Sequence, residues 1–305
     1  MRSTNDASRT SAASSAFPDV AAWWQAVRPR TLPASVVPVA VGLAVAGRGA
    51  PLDGGVAVAT LLAAVCLQIA ANLANDYADC ERGIDTAARL GPTRATQSGR
   101  LTPRAVRRGT RVALGLALLC GLRLVVAGGW GIACLGLVLM VAAVAYSVGR
   151  QPLAWRGLGE VMAFVFFGPV AVGGTVYLQT GRLDLDAVAV SLPVGCLVTA
   201  IMVVNNLRDI PTDRATGKQT LAVRIGSTNT RRLYTAVVGT ALCALVPLAY
   251  EFSPSILLTL LAAPLAWHEV RGVWQREGVL LNHSLAGTAR LLVVTGTLLV
   301  VGLQW

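Results

Sequence analysis

Two runs of Asn and Asp punctuate an otherwise apolar chain. The first is Asn72-Leu73-Ala74-Asn75-Asp76-Tyr77-Ala78-Asp79, running on to Gly83 and Asp85. The second is Asn205-Asn206-Leu207-Arg208-Asp209-Ile210-Pro211-Thr212-Asp213. Residues three or four apart share a helical face. Asn72, Asp76 and Asp79 therefore point one way, and Asn205, Asp209 and Asp213 do the same. Each run offers an amide and two carboxylates aimed together. Hard oxygen donors of this kind suit Mg²⁺, or Mn²⁺ in its place, shared with a phosphate-bearing substrate. Carboxylates at membrane depth are costly and mark function by default. A solvated loop acid paired with a neighbouring arginine explains any one of them; two matching clusters at equivalent helix ends point instead to chemistry. Four facing carboxylates repel unless cations lie between them, and a diphosphate needs cations too. The expectation is a divalent ion bridging Asp76, Asp79, Asp209 and Asp213 to a diphosphate and neutralising it as a leaving group.

Basic residues follow each run. Arg94 and Arg100 come after the first, Lys218 and Arg224 after the second. Arginine forks match phosphate oxygens. Lys218 and Arg94 lie in Gly/Thr-containing turns beside the acids and are read as phosphate ligands. Arg104, Arg107, Arg108 and Arg111 are read as anchors to anionic lipid. Other polar residues inside apolar runs are Gln68, four before Asn72; Tyr146 and Arg150, which share a face; and Glu160, which opens the fifth apolar run and could line a cytoplasmic mouth. These are read as partners in helix–helix hydrogen bonds, and Gly168, Gly173 and Gly174 as sites of close packing.

The elements that must position these groups follow from composition. Of 305 residues, 54% are hydrophobic and 13% charged, against about 25% charged in a soluble domain. The chain is therefore read as an all-α polytopic membrane protein. Its net charge of +11 then reflects arginine in cytoplasmic loops, not affinity for nucleic acid. Six cysteines without a CxxC pair imply neither a disulfide framework nor a zinc site. Residues 1–22, rich in Ser, Ala and Thr, are expected to form a disordered tail, and 23–305 a single membrane domain. No signal peptide is expected, because the first apolar run begins only near Leu32.

A spanning helix needs roughly 20 apolar residues. Nine candidates occur: about 32–48, 55–78, 109–127, 128–147, 158–178, 186–206, 233–250, 254–271 and 286–304. With the N-terminus cytoplasmic and the C-terminus outside, only Arg48, Arg123 and Arg182 of the basic residues fall on the outer face. That satisfies the positive-inside rule. It also puts both acid runs on the cytoplasmic side of the cell membrane, at the ends of the second and sixth helices. The loops after the two runs echo each other: Gly91 to Arg100 (GPTRATQSGR) in one half, Gly217 to Gly226 (GKQTLAVRIG) in the other. Two such helix ends could face each other across one cavity.

These features resemble the UbiA superfamily of intramembrane prenyltransferases, and within it the branch that prenylates 1,4-dihydroxy-2-naphthoate in menaquinone synthesis. The supporting stretches are Trp24 to Pro38 (WQAVRPRTLPASVVP), Gln68 to Thr86 (QIAANLANDYADCERGIDT), the GPTRATQSGR loop, Gly157 to Tyr177 (GLGEVMAFVFFGPVAVGGTVY) and Asn205 to Gly226 (NNLRDIPTDRATGKQTLAVRIG). Residues beyond Gly226 read as plain apolar helices and add little. The resemblance implies about nine helices around a central cavity. A polyprenyl diphosphate would lie with its head on Mg²⁺ and its tail in lipid, beside an aromatic acceptor. By matching position, Asn72, Asp76, Asp79, Asn205, Asp209 and Asp213 would hold metal, with Asp85 and Asn206 as second choices. Arg94, Lys218 and Arg224 would hold diphosphate. Some relatives carry a lysine between helices four and five; this chain has none, and Arg150 or Arg156 would stand in for it. The implied reaction gives demethylmenaquinone with loss of carbon dioxide and diphosphate. Two rivals remain: a sister enzyme using 4-hydroxybenzoate, homogentisate, haem or a chlorophyllide, and a cation-coupled transporter, which also places acids within helices.

Overall fold

The computed structural model describes residues 19–49, 51–84, 89–183 and 185–305. Asp85 thus lies outside the described residues, as do residues 1–18. Eleven α-helices follow one another among the described residues: α1 (Val20–Val27), α2 (Pro33–Ala46), α3 (Gly54–Glu81), α4 (Pro103–Ala145), α5 (Gly159–Val165), α6 (Ala171–Thr180), α7 (Leu185–Ala215), α8 (Leu221–Cys243), α9 (Leu245–Glu251), α10 (Ala263–Gln275) and α11 (Leu281–Gln304). Residues 20–22, expected in the tail, already belong to α1, because the Asp19 carboxylate accepts from the Ala22 amide and caps the helix. The chain has to leave α1 before Pro29, since a proline disfavours helical conformation in the residue ahead of it. Arg28 does so at φ 55°, in the left-handed region, and the α1 segment and α2 meet with a 49° bend.

Among the described residues, seven helical stretches are long and apolar enough to cross a membrane, eight with the bent α1–α2 pair counted. The longest, α4, has 43 residues, roughly 65 Å of helix against a hydrocarbon core of about 30 Å. It turns back at Gly129, whose φ of 71° and ψ of −163° are not helical and suit glycine alone. Contacts at its ends show the reversal. Arg107, near its start, pairs with Glu81 at the end of α3. Arg123 pairs with Asp53 at the start of α3, 2.9 Å away. Just past its end, the Ser147 carbonyl accepts from Arg82, again at the end of α3, at 2.7 Å. Both halves therefore run alongside α3, giving nine traverses among the described residues. On one face lie Arg28, Glu81, Ser147 and Asp213; on the other, Arg48 reaches the carbonyls of Phe252 and Leu303, and Gln179 accepts from the Asp53 amide. At that second face the Val56 amide, and beside it Arg123, hold the Asp53 carboxyl below the usual carboxylate range.

The outer surface is apolar. Val112, Leu116, Leu119 and Val126 on α4 are all exposed, as a lipid-facing shell requires. The chain is a multi-pass membrane protein. Inside, small residues let backbones approach. Gly168 and Gly195 pack face to face, so a Cβ on either would come 3.1 Å from the other's Cα. At Gly168 the α5–α6 span widens into a π turn over Phe166–Val170 that accommodates Pro169. Gly173 and Gly174 do not share this role: nothing lies within 4 Å of a Cβ built on them.

A Cβ on Gly42 would come 2.7 Å from the Thr175 Cβ and 2.8 Å from the Val172 carbonyl oxygen. Gly42→Val is therefore expected to force α2 from α6 and cost about 1–3 kcal/mol, read as a lower thermal midpoint in detergent. Gly173→Ala, in open space, should leave the midpoint unchanged.

Candidate active site

One cavity of about 1240 Å³ opens among the helices. Asn72, Asn75, Asp76 and Asp79 of α3 and Asn205, Asn206, Asp209 and Asp213 of α7 all line it. Both runs stay helical to the end of their spans: α3 continues to Glu81, and α7 to Ala215 despite Pro211. The spacing of three and four residues thus holds in space, and the two acid-bearing faces look across one chamber.

Basic side chains hold the acids together. Lys218 Nζ lies 3.5 Å from Asp79 Oδ2 and 3.8 Å from Asp213 Oδ1, so one ammonium reaches both clusters. A turn after α7 delivers it: Gly217 takes φ 76°, and the Lys218 amide donates to the Asp213 carbonyl. Arg94 pairs with Asp79 at 2.8 Å and donates to the Asn75 carbonyl and Oδ1. Thr96 donates to Asp76 Oδ1. Arg208 forks onto Asp209, with Nε–Oδ1 and Nη2–Oδ2 both at 2.7 Å, and also donates to Asn205 Oδ1. Asp79, Asp76 and Arg208 are nearly sealed from solvent. Leaving any of these charges without its partner would cost several kcal/mol.

The structure separates the remaining candidates. Asn72 lines the cavity but turns its amide nitrogen to the Val27 carbonyl and Thr31 hydroxyl, both at 2.9 Å, and so ties the first segment to α3. Arg150 and Arg224 are exposed and absent from the cavity wall. Arg150 follows Gly149 into a surface turn, and the Arg224 guanidinium lies beside Gly157. Arg156 donates to Gln151 in the same surface turn.

Several groups at the site went unrecognised in the sequence. Asn75 is a hub: its Oδ1 accepts from Arg28 and Arg94, and its Nδ2 donates to Asp79 and Ser147. Its spacing of four from Asp79 was the available signal. Asn282 of α11 accepts from Arg208 at 2.7 Å and donates to the Leu90 carbonyl at 3.0 Å. Leu285, Ala286 and Ala289 extend the wall from there. The C-terminal helices, which the sequence left as plain apolar spans, therefore complete the site. No periodicity could show this, because Asn282 is one of three consecutive polar residues, Asn282-His283-Ser284, at the head of the helix, and its partners lie on other elements. Trp155 lies under both Arg82 and Lys218, 5.2 and 5.9 Å from its ring centre.

Among the described residues no three His, Cys, Asp or Glu side chains converge as a closed metal cage. The donor set nevertheless fits Mg²⁺. That ion needs only one or two carboxylates, completing its shell with water and substrate phosphate, and amide and carboxylate oxygens from both helices face the same space. Below this polar mouth the chamber is apolar and aromatic, with Phe166, Phe167, Leu139 and Met140 on its walls. The arrangement can hold an anionic, metal-bridged head at one end and a long apolar tail at the other.

Residues 35–292 match the UbiA prenyltransferase family. The 1,4-dihydroxy-2-naphthoate octaprenyltransferase of Escherichia coli is 38% identical over 93% of this chain and 96% of its own length. The enzyme of the same name from Mycobacterium tuberculosis is 39% identical over 91% and 97%. Among solved structures, the apo UbiA homolog from Aeropyrum pernix superposes with a TM-score of 0.69 at 18% identity, covering 88% of this chain and 97% of that one. The UbiA homolog from Archaeoglobus fulgidus, bound to GPP and Mg²⁺, gives 0.63 at 14%, covering 91% and 99%. At such identities these two show a shared fold.

Replacing Asn75 with the similarly sized Leu should strip Arg94, Arg28 and Asp79 of a shared partner. A loss of about 2–3 kcal/mol is expected, from leaving buried polar groups unpaired, and thermal unfolding in detergent would record it. An unchanged midpoint would mean that Asn75 is not the hub its contacts describe.

Proposed function

Because the chain belongs to the UbiA prenyltransferase family, we propose that it transfers a polyprenyl group from polyprenyl diphosphate to 1,4-dihydroxy-2-naphthoate, releasing diphosphate and carbon dioxide and giving demethylmenaquinol, the hydroquinone form of demethylmenaquinone. The observation that carries this reading is the meeting of the α3 and α7 acid faces at the mouth of one apolar cavity, with Lys218 between Asp79 and Asp213. The names of the relatives supply the acceptor.

Asp76, Asp79, Asp209 and Asp213, with Asn72 and Asn205, offer the oxygens that would hold Mg²⁺, or Mn²⁺ in its place. Bound there, the ion supplies positive charge against the departing diphosphate. The protein's part is then electrostatic and steric. Lys218, Arg94 and Arg208 already stand within reach of the carboxylates, so a diphosphate entering among them meets fixed cations that need little reorganisation. As the allylic carbon–oxygen bond breaks, its electron pair leaves with the diphosphate. The apolar walls hold water away from the carbocation that remains. The acceptor carbon bearing the carboxylate forms the new carbon–carbon bond, and carbon dioxide departs, returning its bonding pair to the ring. We further assign the acid-bearing face to the cytoplasmic side of the cell membrane, where the basic loops cluster.

Purified protein given polyprenyl diphosphate and dihydroxynaphthoate should release diphosphate and form prenylated product. Turnover of 4-hydroxybenzoate alone would reassign the acceptor. Asp76→Ala and Asp209→Ala should each lower diphosphate release by at least about a hundredfold; unchanged release in both would overturn the site. Chelation by EDTA should abolish activity, and added Mg²⁺ should restore it.

A further inference from the structure

Behind the cavity wall, against Asn206 of the second acid run, lies a buried carboxyl group that the metal and diphosphate reading leaves without a role. Glu160, in the first turn of α5, is 5% exposed. Its Oε1 accepts from Asn206 Nδ2 at 2.8 Å, and its Oε2 is buried without a hydrogen-bond partner among the described residues. Burying a carboxyl is costly, and a well-packed apolar residue would serve stability better. Its one contact fixes the side chain of Asn206. A carboxyl oxygen that accepts must face the amide NH₂ group, so the Asn206 carbonyl oxygen is turned the other way. Asn206 lines the cavity, and among the described residues no hydrogen bond ends on its Oδ1.

The surroundings of that oxygen say what it suits. Met162, Met202, Phe166 and Tyr146 form the adjoining wall, and the Tyr146 hydroxyl is spent on the Met202 sulfur at 3.4 Å. Gly159 keeps a slot open between them. A Cβ there would come 3.1 Å from the Tyr146 hydroxyl and 3.7 Å from Asn206 Nδ2. One outward-facing acceptor on an otherwise apolar, aromatic wall matches a flat ring that bears a hydroxyl group. The charged mouth, where Lys218 and Arg94 sit on Asp79, matches metal and diphosphate instead.

We propose that Asn206 Oδ1 accepts a hydrogen bond from a ring hydroxyl of the aromatic acceptor, and that Glu160 is the positioning residue that aims it. The proposal rests on prenyl transfer to a phenolic acceptor, as stated above. It is tested on the full-length purified enzyme by determining KM separately for the acceptor and for polyprenyl diphosphate, together with the Mg²⁺ activation midpoint. Glu160→Ala and Asn206→Leu should each raise the acceptor KM about tenfold, the size of one net hydrogen bond. The polyprenyl diphosphate KM and the Mg²⁺ midpoint should stay within about twofold. Glu160→Gln, which still offers an oxygen to Asn206 Nδ2, should recover most of the loss. Equilibrium binding of the acceptor without metal or diphosphate, followed by quenching of tryptophan fluorescence, should weaken in parallel.

An acceptor KM unmoved in Glu160→Ala overturns the proposal. So does a rise in the polyprenyl diphosphate KM or the Mg²⁺ midpoint as large as that for the acceptor, which would make Asn206 a ligand of the metal head. If Glu160→Ala does not fold, Asn206→Leu and Glu160→Gln decide by the same criteria. A wild type that turns over 4-hydroxybenzoate instead leaves the proposal standing, and the test then uses that phenol. A wild type that prenylates no phenol overturns the function reading itself and this proposal with it.

Discussion

One ammonium group, that of Lys218, stands between carboxylates belonging to two different helices. The architecture around the site depends on that charge balance. Asp79 and Asp213 end spans that reach the same face from opposite sides of the cavity, and without cations between them they would drive those helix ends apart. Arg94, Lys218 and Arg208 supply the cations. Asn75, Asn205 and Asn282 supply the neutral hydrogen bonds that keep the arginines in place. Buried charge gives little net stability even when paired. The network therefore makes sense as stored electrostatic order, ready for a polyanionic head, and not as a device for holding the fold together.

Stability comes from elsewhere. The spans interlock through small residues: Gly42 against Thr175, Gly168 against Gly195, and Gly302 against the backbone at Ile256. Close backbone approach of this kind drives helix association where lipid removes the hydrophobic incentive. The consequence for function is a rigid frame with one soft, roomy interior. Because the acids cluster at one end of that interior and the aromatic wall lies below them, charge separation is confined to a single face. Asn206 sits at the border between the two zones, held by Glu160 behind it.

The polar links across the site also explain why distant parts of the chain are needed together. Asn72 fastens the Val27–Thr31 turn to α3; Ser147 fastens the end of α4 to Asn75 and Arg82; Asn282 fastens α11 to Arg208 and to the loop at Leu90. Each link joins residues far apart in sequence, so the mouth is assembled only when most spans are in place.

Sequence by itself determined a good deal. Apolar length and sparse charge dictated membrane helices, because only a helix satisfies its own backbone in lipid. Spacing of three and four dictated which acids share a face, because helical geometry is local. The break between the apolar runs 109–127 and 128–147 fell at Gly128-Gly129, and the structure turns there with φ 71° at Gly129, a conformation that suits a residue without a side chain. The tertiary structure decided the rest. It put Lys218 and Arg94 in the cavity wall and left Arg224 and Arg150 off it, because reach into a cavity depends on which way a loop folds back. It brought in Asn75, Arg208 and Asn282, whose roles exist only through partners on other helices. It held the Asn206 amide nitrogen on a carboxyl 46 positions away in the chain, a pairing that no local periodicity encodes.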